Sequence, residues 1–161
     1  MARDNPRSLP GPSAEGDPGT SDCGVHPIVR APRARNHRCV ANSILIVDDS
    51  PPFRAMAAGL LAEHGFDVLA IVEDGEQALA AVSDGCPDGI LLDINLPGPD
   101  GFAVAAALAA ACPHARIVLT SSDYARLPDG VLQDCAASAF VAKEDLTAAD
   151  LGRLFTTPAG T

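Results

Sequence analysis

Asp48 and Asp49 are adjacent carboxylates that end the apolar run "ILIV", and Asp93 is a third, set inside "LLDINLPGPDG". A hydroxyl cluster follows at Thr120, Ser121 and Ser122, and Lys143, the only lysine in the chain, comes directly after "AFVA". Like charges at close range oppose ionisation, so three acids in one place need a cation or a shared proton. A hard divalent ion with oxygen ligands meets that need, and Mg2+ favours a few carboxylates together with water and phosphate. Lys143 supplies a counter-charge for an anion or phosphoryl group, and a hydroxyl can donate to a phosphoryl oxygen. These are the parts of a phosphoryl-transfer site in which one carboxylate is the nucleophile. The plainer alternative, that each acid only caps the helix after its strand, suffices for one acid. It does not explain three acids together with a hydroxyl and a lysine. Neither GxxxxGK[ST] nor GxGxxG occurs, so ATP or dinucleotide binding has little support.

Such residues must be brought together by the fold. Five short apolar segments, "SILIV" (43–47), "FDVLAIV" (66–72), "GILLDI" (89–94), "ARIVLTS" (115–121) and "SAFVA" (138–142), alternate with longer helical patterns. Those patterns are "RAMAAGLLAEHG", "DGEQALAAVSDGC", "DGFAVAAALAAACP", a stretch from Ala125 to Ala136, and "LTAADLGRLF". This rhythm predicts a parallel sheet covered on both faces. In such sheets the binding crevice lies at the carboxyl ends of the strands, where Asp48, Asp49, Asp93 and Lys143 fall. Strand alternation lets only one of Thr120 and Ser121 point into it. The third helix predicts a narrow stripe of Phe102, Ala105, Ala106 and Ala109 toward the sheet, while Gly65, Gly85 and Pro113 mark helix ends. Pro51 and Pro52 fall where the first helix begins, a place that tolerates proline, and give it a rigid start.

Charge and composition exclude several classes. Residues 1–43 hold six of the 14 prolines and six of the 11 Lys/Arg residues without apolar periodicity, and read as a flexible tail. Within it Arg30, Arg33, Arg35 and Arg38 form a small basic run. From Ile44 onward there are 17 Asp/Glu against five Lys/Arg, a balance that argues against direct nucleic-acid binding and against an anionic membrane surface. No stretch is apolar for the roughly 18 to 20 residues of a membrane span, and the N-terminus lacks a secretory core, so a cytoplasmic location is expected. The five cysteines lack metal-ligand spacing, and those in the folded part are expected to be small core or half-buried residues in a reducing compartment.

From about Ile44 to Phe155 the chain resembles the receiver domains of two-component response regulators. The family's acidic pair matches Asp48 and Asp49, its phosphoacceptor matches Asp93 in "DINLPGPDG", its hydroxyl matches Ser121 and its lysine matches Lys143. Asp93 to Ser121 is 28 positions and Ser121 to Lys143 is 22, as in the family, whereas Thr120 is one off at each. The resemblance implies a flavodoxin-like (βα)5 fold, doubly wound around a five-stranded parallel sheet, over residues 44–157. It implies Mg2+ held by Asp49, Asp93 and the Asn95 carbonyl, with Asp48 acting through water, and an aromatic switch at Phe140. It further implies a phosphoryl group received from a sensor histidine kinase or histidine phosphotransfer protein, an unidentified downstream protein partner, and no turnover enzyme.

Several features depart from the pattern. Glu144 replaces the proline that often follows the lysine, so no cis bond is expected there. The "KED" ending resembles receivers joined to LuxR-type helix-turn-helix domains, yet only 18 residues follow Lys143, and no output domain is expected. Ala136 and Ala139 stand where the family usually has glycine, and alanine tolerates positive φ poorly. The main competing reading is a pseudo-receiver, a protein-interaction module that does not use phosphorylation. A small aspartyl phosphohydrolase would need a second acid where Asn95 stands, and in a flavin module Asp48 and Asp49 would repel the phosphate.

Overall fold

The computed structural model describes residues 42–123 and 130–156. The tail reading for residues 1–41, with its basic run and Cys23 and Cys39, lies outside the described residues, as does part of the helix expected from Ala125. Strands β1 (Ser43–Val47), β2 (Asp67–Val72), β3 (Gly89–Asp93), β4 (Arg116–Ser121) and β5 (Ala139–Ala142) form one parallel sheet in the order β2-β1-β3-β4-β5. The order reverses between β1, which is followed by Asp48, and β3, which ends in Asp93. In an open α/β sheet the ligand crevice lies at that reversal.

The central strands are apolar on both faces because both faces are covered. Leu45, Val47, Ile90, Leu92, Ile117 and Leu119 pack toward α2 (Gly75–Ser83) and α3 (Gly101–Ala111). Ile44, Ile46, Leu91 and Val118 pack toward α1 (Pro51–Glu63) and α5 (Leu151–Phe155). Each fully buried Ile or Leu contributes about 1.5–3 kcal/mol, and these two layers hold the rim in place. A short helix α4 (Val131–Asp134) precedes β5, and a 3-10 turn (Lys143–Asp145) follows it.

Three details differ from the sequence reading. The buried stripe of α3 is Gly101, Val104, Ala105 and Leu108, continued by Cys112, while Phe102 is half-buried and Ala106 exposed. Alanine-rich helices carry little contrast between faces, so the larger Val104 and Leu108 decide which side turns inward. "LTAADLGRLF" is not one helix: the chain leaves the 3-10 turn and restarts at Asp150, whose carboxylate accepts from the Arg153 amide at 3.0 Å. Finally, Cys86 and Cys112 are disulfide-bonded, and Cys135 alone is a buried free thiol among the described residues. α2 and α3 lie side by side, which brings the loop after one against the last turn of the other. A separation of 26 residues gave no hint of this.

Candidate functional site

Val47 ends β1 inside the core, and the next residues must leave the sheet. Asp48 stays buried, 1% exposed, with its amide donating to the Val72 carbonyl at 3.1 Å, while Asp49 turns out to solvent. Pro51 and Pro52 occupy the first turn of α1, where no intrahelical donor is required of them. The Asp48 carboxylate accepts from the Ser50 amide at 2.8 Å, and its Oδ2 forms an ion pair with Lys143 Nζ at 2.6 Å. Asp93, last in β3 and 2% exposed, accepts from the Asn95 amide at 3.0 Å and from the same Lys143 Nζ at 2.7 Å. One ammonium group therefore joins the ends of β1, β3 and β5. Asp48, Asp49 and Asp93 each offer a carboxylate oxygen within 4.8 Å of the others, an arrangement that can hold a metal ion. The donor set, oxygen only and two-thirds buried carboxylate, is that of a hard divalent cation.

Burial pushes the Asp48 carboxyl above its usual range, assisted by the neighbouring Asp93 charge and opposed by Lys143 and the Ser50 amide. For Lys143, burial acts to lower the ammonium, but its bonds to Asp48 and Asp93 outweigh that and leave it above its ordinary value.

Both hydroxyl candidates are fully buried. Ser121 Oγ accepts from Asn95 Nδ2 at 2.8 Å and from the Asp123 amide at 3.0 Å, which places it on the rim beside the residue two beyond Asp93. Thr120 Oγ1 has no hydrogen-bond partner among the described residues. Phe140 is half-buried on β5, opposite Leu119, against the α2–α3 side of the core. Ala136 adopts φ +56°, the left-handed conformation that glycine would take without cost, whereas Ala139 lies within β5.

Some contributors were not visible as site residues in the sequence. Arg54 Nη1 donates to the Asp48 carbonyl at 2.6 Å and Nη2 lies 3.9 Å from Glu73, tying the backbone of the acidic pair to the loop between β2 and α2. The Phe53 ring lies under Lys143, with Nζ 4.7 Å from its centroid. Asp100 caps α3 through the Phe102 amide at 3.2 Å. A Cβ at Gly101 would stand 2.5 Å from the Ile94 backbone, so glycine lets α3 start directly under the loop that follows Asp93. The Asp-Gly pair in "PGPDG" was the available signal for these last two. Phe53 and Arg54 carried none, since a helix-borne Phe and Arg are ordinary.

A five-stranded parallel sheet with three acids and a lysine on its carboxyl rim defines a class of α/β domains whose crevice can hold a divalent ion. The chain matches the response regulator receiver domain over residues 44–150 and belongs to that family. It is 35% identical over 83 residues to the chemotaxis protein CheY of Bacillus subtilis, covering 52% of this chain and 69% of that protein. It is 37% identical over 115 residues to a protein-glutamate methylesterase/protein-glutamine glutaminase of Caulobacter vibrioides, covering 68% of this chain but only 33% of that protein. The chain thus spans about a third of that longer relative. Among solved structures, the BeF3-activated receiver domain of Klebsiella pneumoniae RstA is 32% identical with a TM-score of 0.61, covering 70% of this chain and 95% of that one. The Thermotoga maritima response regulator TrrA in complex with Mg(2+)-BeF is also 32% identical, with a TM-score of 0.57, covering 63% and 85%. Among the described residues no helix is long and apolar enough to cross a membrane.

Proposed function

We propose that residues 44–157 act as a phosphoacceptor domain in a two-component phosphorelay, with Asp93 taking a phosphoryl group from a phosphohistidine on a kinase or phosphotransfer protein. The observation that carries this reading is the single Lys143 ammonium held at 2.6 Å and 2.7 Å by Asp48 and Asp93, beside a three-carboxylate cluster that fits a divalent ion. A carboxylate oxygen of Asp93 attacks phosphorus, the phosphorus–nitrogen bond of the donor breaks, and an acyl phosphate forms as the donor imidazole leaves. Asp49, Asp93 and the Asn95 carbonyl, with Asp48 behind them, would hold Mg2+, which offsets negative charge on the transferred oxygens. The Mg(2+)-BeF complex of the related TrrA supports that choice of ion.

Lys143 already touches the nucleophile and follows the phosphoryl oxygens once they are attached. Ser121 Oγ donates to the Asp123 carbonyl at 3.4 Å and must leave it to donate to one of those oxygens. Its departure couples chemistry to the β4–β5 edge, where Phe140 is the aromatic available to respond, and a population shift of that face would be read by a downstream protein. Hydrolysis of the acyl phosphate resets the domain, so no turnover activity is required of it. A cytoplasmic setting suits these partners.

Intact-mass analysis with Mg2+ and acetyl phosphate tests the reading. One added phosphoryl group on the wild type, lost with EDTA and absent from Asp93→Asn, is the expected result. An unchanged mass, with a histidine kinase also failing to label the protein, would leave a phosphorylation-independent interaction module instead.

A further inference from the structure

We propose that Phe53 is a positioning residue for Lys143, carrying its ammonium group on the face of the ring. An ammonium group has three N–H donors. One is donated to Asp93 Oδ2, Asp48 Oδ2 lies 2.6 Å away as an ion-pair partner, and no third oxygen partner is present among the described residues. The side chain is only 13% exposed, so the remaining N–H is largely withdrawn from water. The Phe53 ring, 4.7 Å from Nζ to centroid, supplies the negative face of its quadrupole on that side.

The ring is itself held firmly. Phe53 is 9% exposed and belongs to the same buried cluster as Ala57, Val141 and Leu146, at the first turn of a helix whose start is stiffened by Pro51 and Pro52. Its position is therefore set by α1 and by the residues around β5, the strand that leads into Lys143. The two carboxylates are poor anchors by comparison. Both belong to the three-acid cluster that would hold a divalent cation, Asp93 directly and Asp48 behind it, and a phosphoryl group would be built on Asp93. The ring is a contact of Lys143 that takes no part in those events. The segment "PPFR" thereby acquires a purpose: it sets the lysine's resting place as well as the start of α1.

The value of this placement to phosphoryl transfer rests on the phosphoacceptor reading, but the placement can be tested apart from it. Lys143 is the only lysine in the chain, so labelling with 13C,15N-lysine gives one side-chain spin system that needs no assignment. Its ε-methylene protons are expected upfield of their free-lysine positions through the ring current. That shift should disappear in Phe53→Leu and persist in the wild type with Mg2+ and beryllofluoride. Replacing Phe53 with mono-, di- and trifluorophenylalanine weakens the ring's attraction for a cation while nearly preserving shape. The rate of Asp93 phosphorylation by phosphoramidate should then fall stepwise, about three- to tenfold over the series, with the thermal midpoint unchanged. A lysine signal at free-lysine positions in the wild type, or one indifferent to Phe53→Leu, overturns the contact. A flat rate series with the contact intact overturns the positioning role. If the upfield shift is present and no phosphorylation occurs even in the wild type, the contact stands and the phosphoacceptor reading falls.

Discussion

Replacing Lys143 with Met keeps the length of the side chain and removes its charge, which separates the two tasks the ammonium performs. In the metal-free protein it is the counter-charge of two buried carboxylates, at 2.6 Å and 2.7 Å. Taking one partner from a buried ionic cluster costs about 3–5 kcal/mol, and uptake of a proton by the remaining acids moves the expected loss to about 3 kcal/mol. The same ammonium also competes with a divalent cation for Asp48 and Asp93. Two unit charges about 4 Å apart interact by about 1 kcal/mol even in water, so a divalent ion is repelled by about 2 kcal/mol, a factor of roughly thirty in affinity. Lys143→Met should therefore be less stable in urea without metal, yet bind Mg2+ roughly ten- to thirtyfold more tightly by calorimetry near pH 7.5. The sign with pH follows from Asp48, whose carboxyl is already raised in the fold above 3.8. A folded state that holds a proton the unfolded chain has released gains stability as pH falls toward that raised value. The deficit of Lys143→Met should accordingly shrink on acidification, and so should its gain in Mg2+ affinity. An affinity equal to or weaker than the wild type would refute the competition, and a metal-free variant as stable as the wild type would refute the counter-charge.

Ala136→Gly should stabilise the domain by about 0.5–1 kcal/mol, because φ +56° costs an alanine more than the extra chain entropy costs a glycine; a chemical denaturation midpoint that does not rise would remove the claimed strain. Thr120→Val replaces a fully buried, unpartnered hydroxyl with a methyl and should be neutral or up to about 1 kcal/mol more stable, whereas a loss larger than that would mean the hydroxyl has a partner. Reducing the Cys86–Cys112 bond, or substituting Cys86→Ser, should cost about 2–3.5 kcal/mol from the 26-residue separation it closes; alkylation of both thiols without reductant would show that the bond does not form in solution. Raising the pH above 10.5 should begin to erode the contribution of Lys143, since a lysine raised in the fold stabilises fully below its unfolded value and ceases to do so only above its folded one. The stability difference between wild type and Lys143→Met should narrow there, and a difference that stays constant would contradict the assignment.

Which parts of this molecule were legible in its sequence follows from contrast. The five strands were readable because nearly continuous apolar runs have no other use in a chain broken so regularly by helix patterns and turns. Asp48, Asp49 and Asp93 were readable for the opposite reason, since like charges at the ends of buried runs conflict with everything around them. Lys143 stood out as the only lysine. Where neighbours differed little, the reading slipped: the α3 stripe moved by one position among alanines, and the last helix broke at Asp150 because a cap and a turn competed with a propensity of similar strength. Cys86 and Cys112 were unreadable because only the side-by-side packing of α2 and α3 makes them neighbours.

The site itself divides along the same line. The acids and the lysine at the strand ends declare themselves, while the residues that hold them resemble ordinary core and surface. Phe53 reads as one more apolar helix residue and Arg54 as one more exposed cation. Yet the Asp48 carbonyl rests on Arg54 at 2.6 Å, and the only lysine lies against the Phe53 ring. Two adjacent residues at the first turn of α1 thus support both sides of a site whose reactive groups come from β1, β3 and the end of β5. A shift of α1 would move the acidic pair and the lysine together, so their 2.6 Å contact should outlast small adjustments of the helix, whereas the distance from Lys143 to Asp93, held from another strand, should be the one that changes.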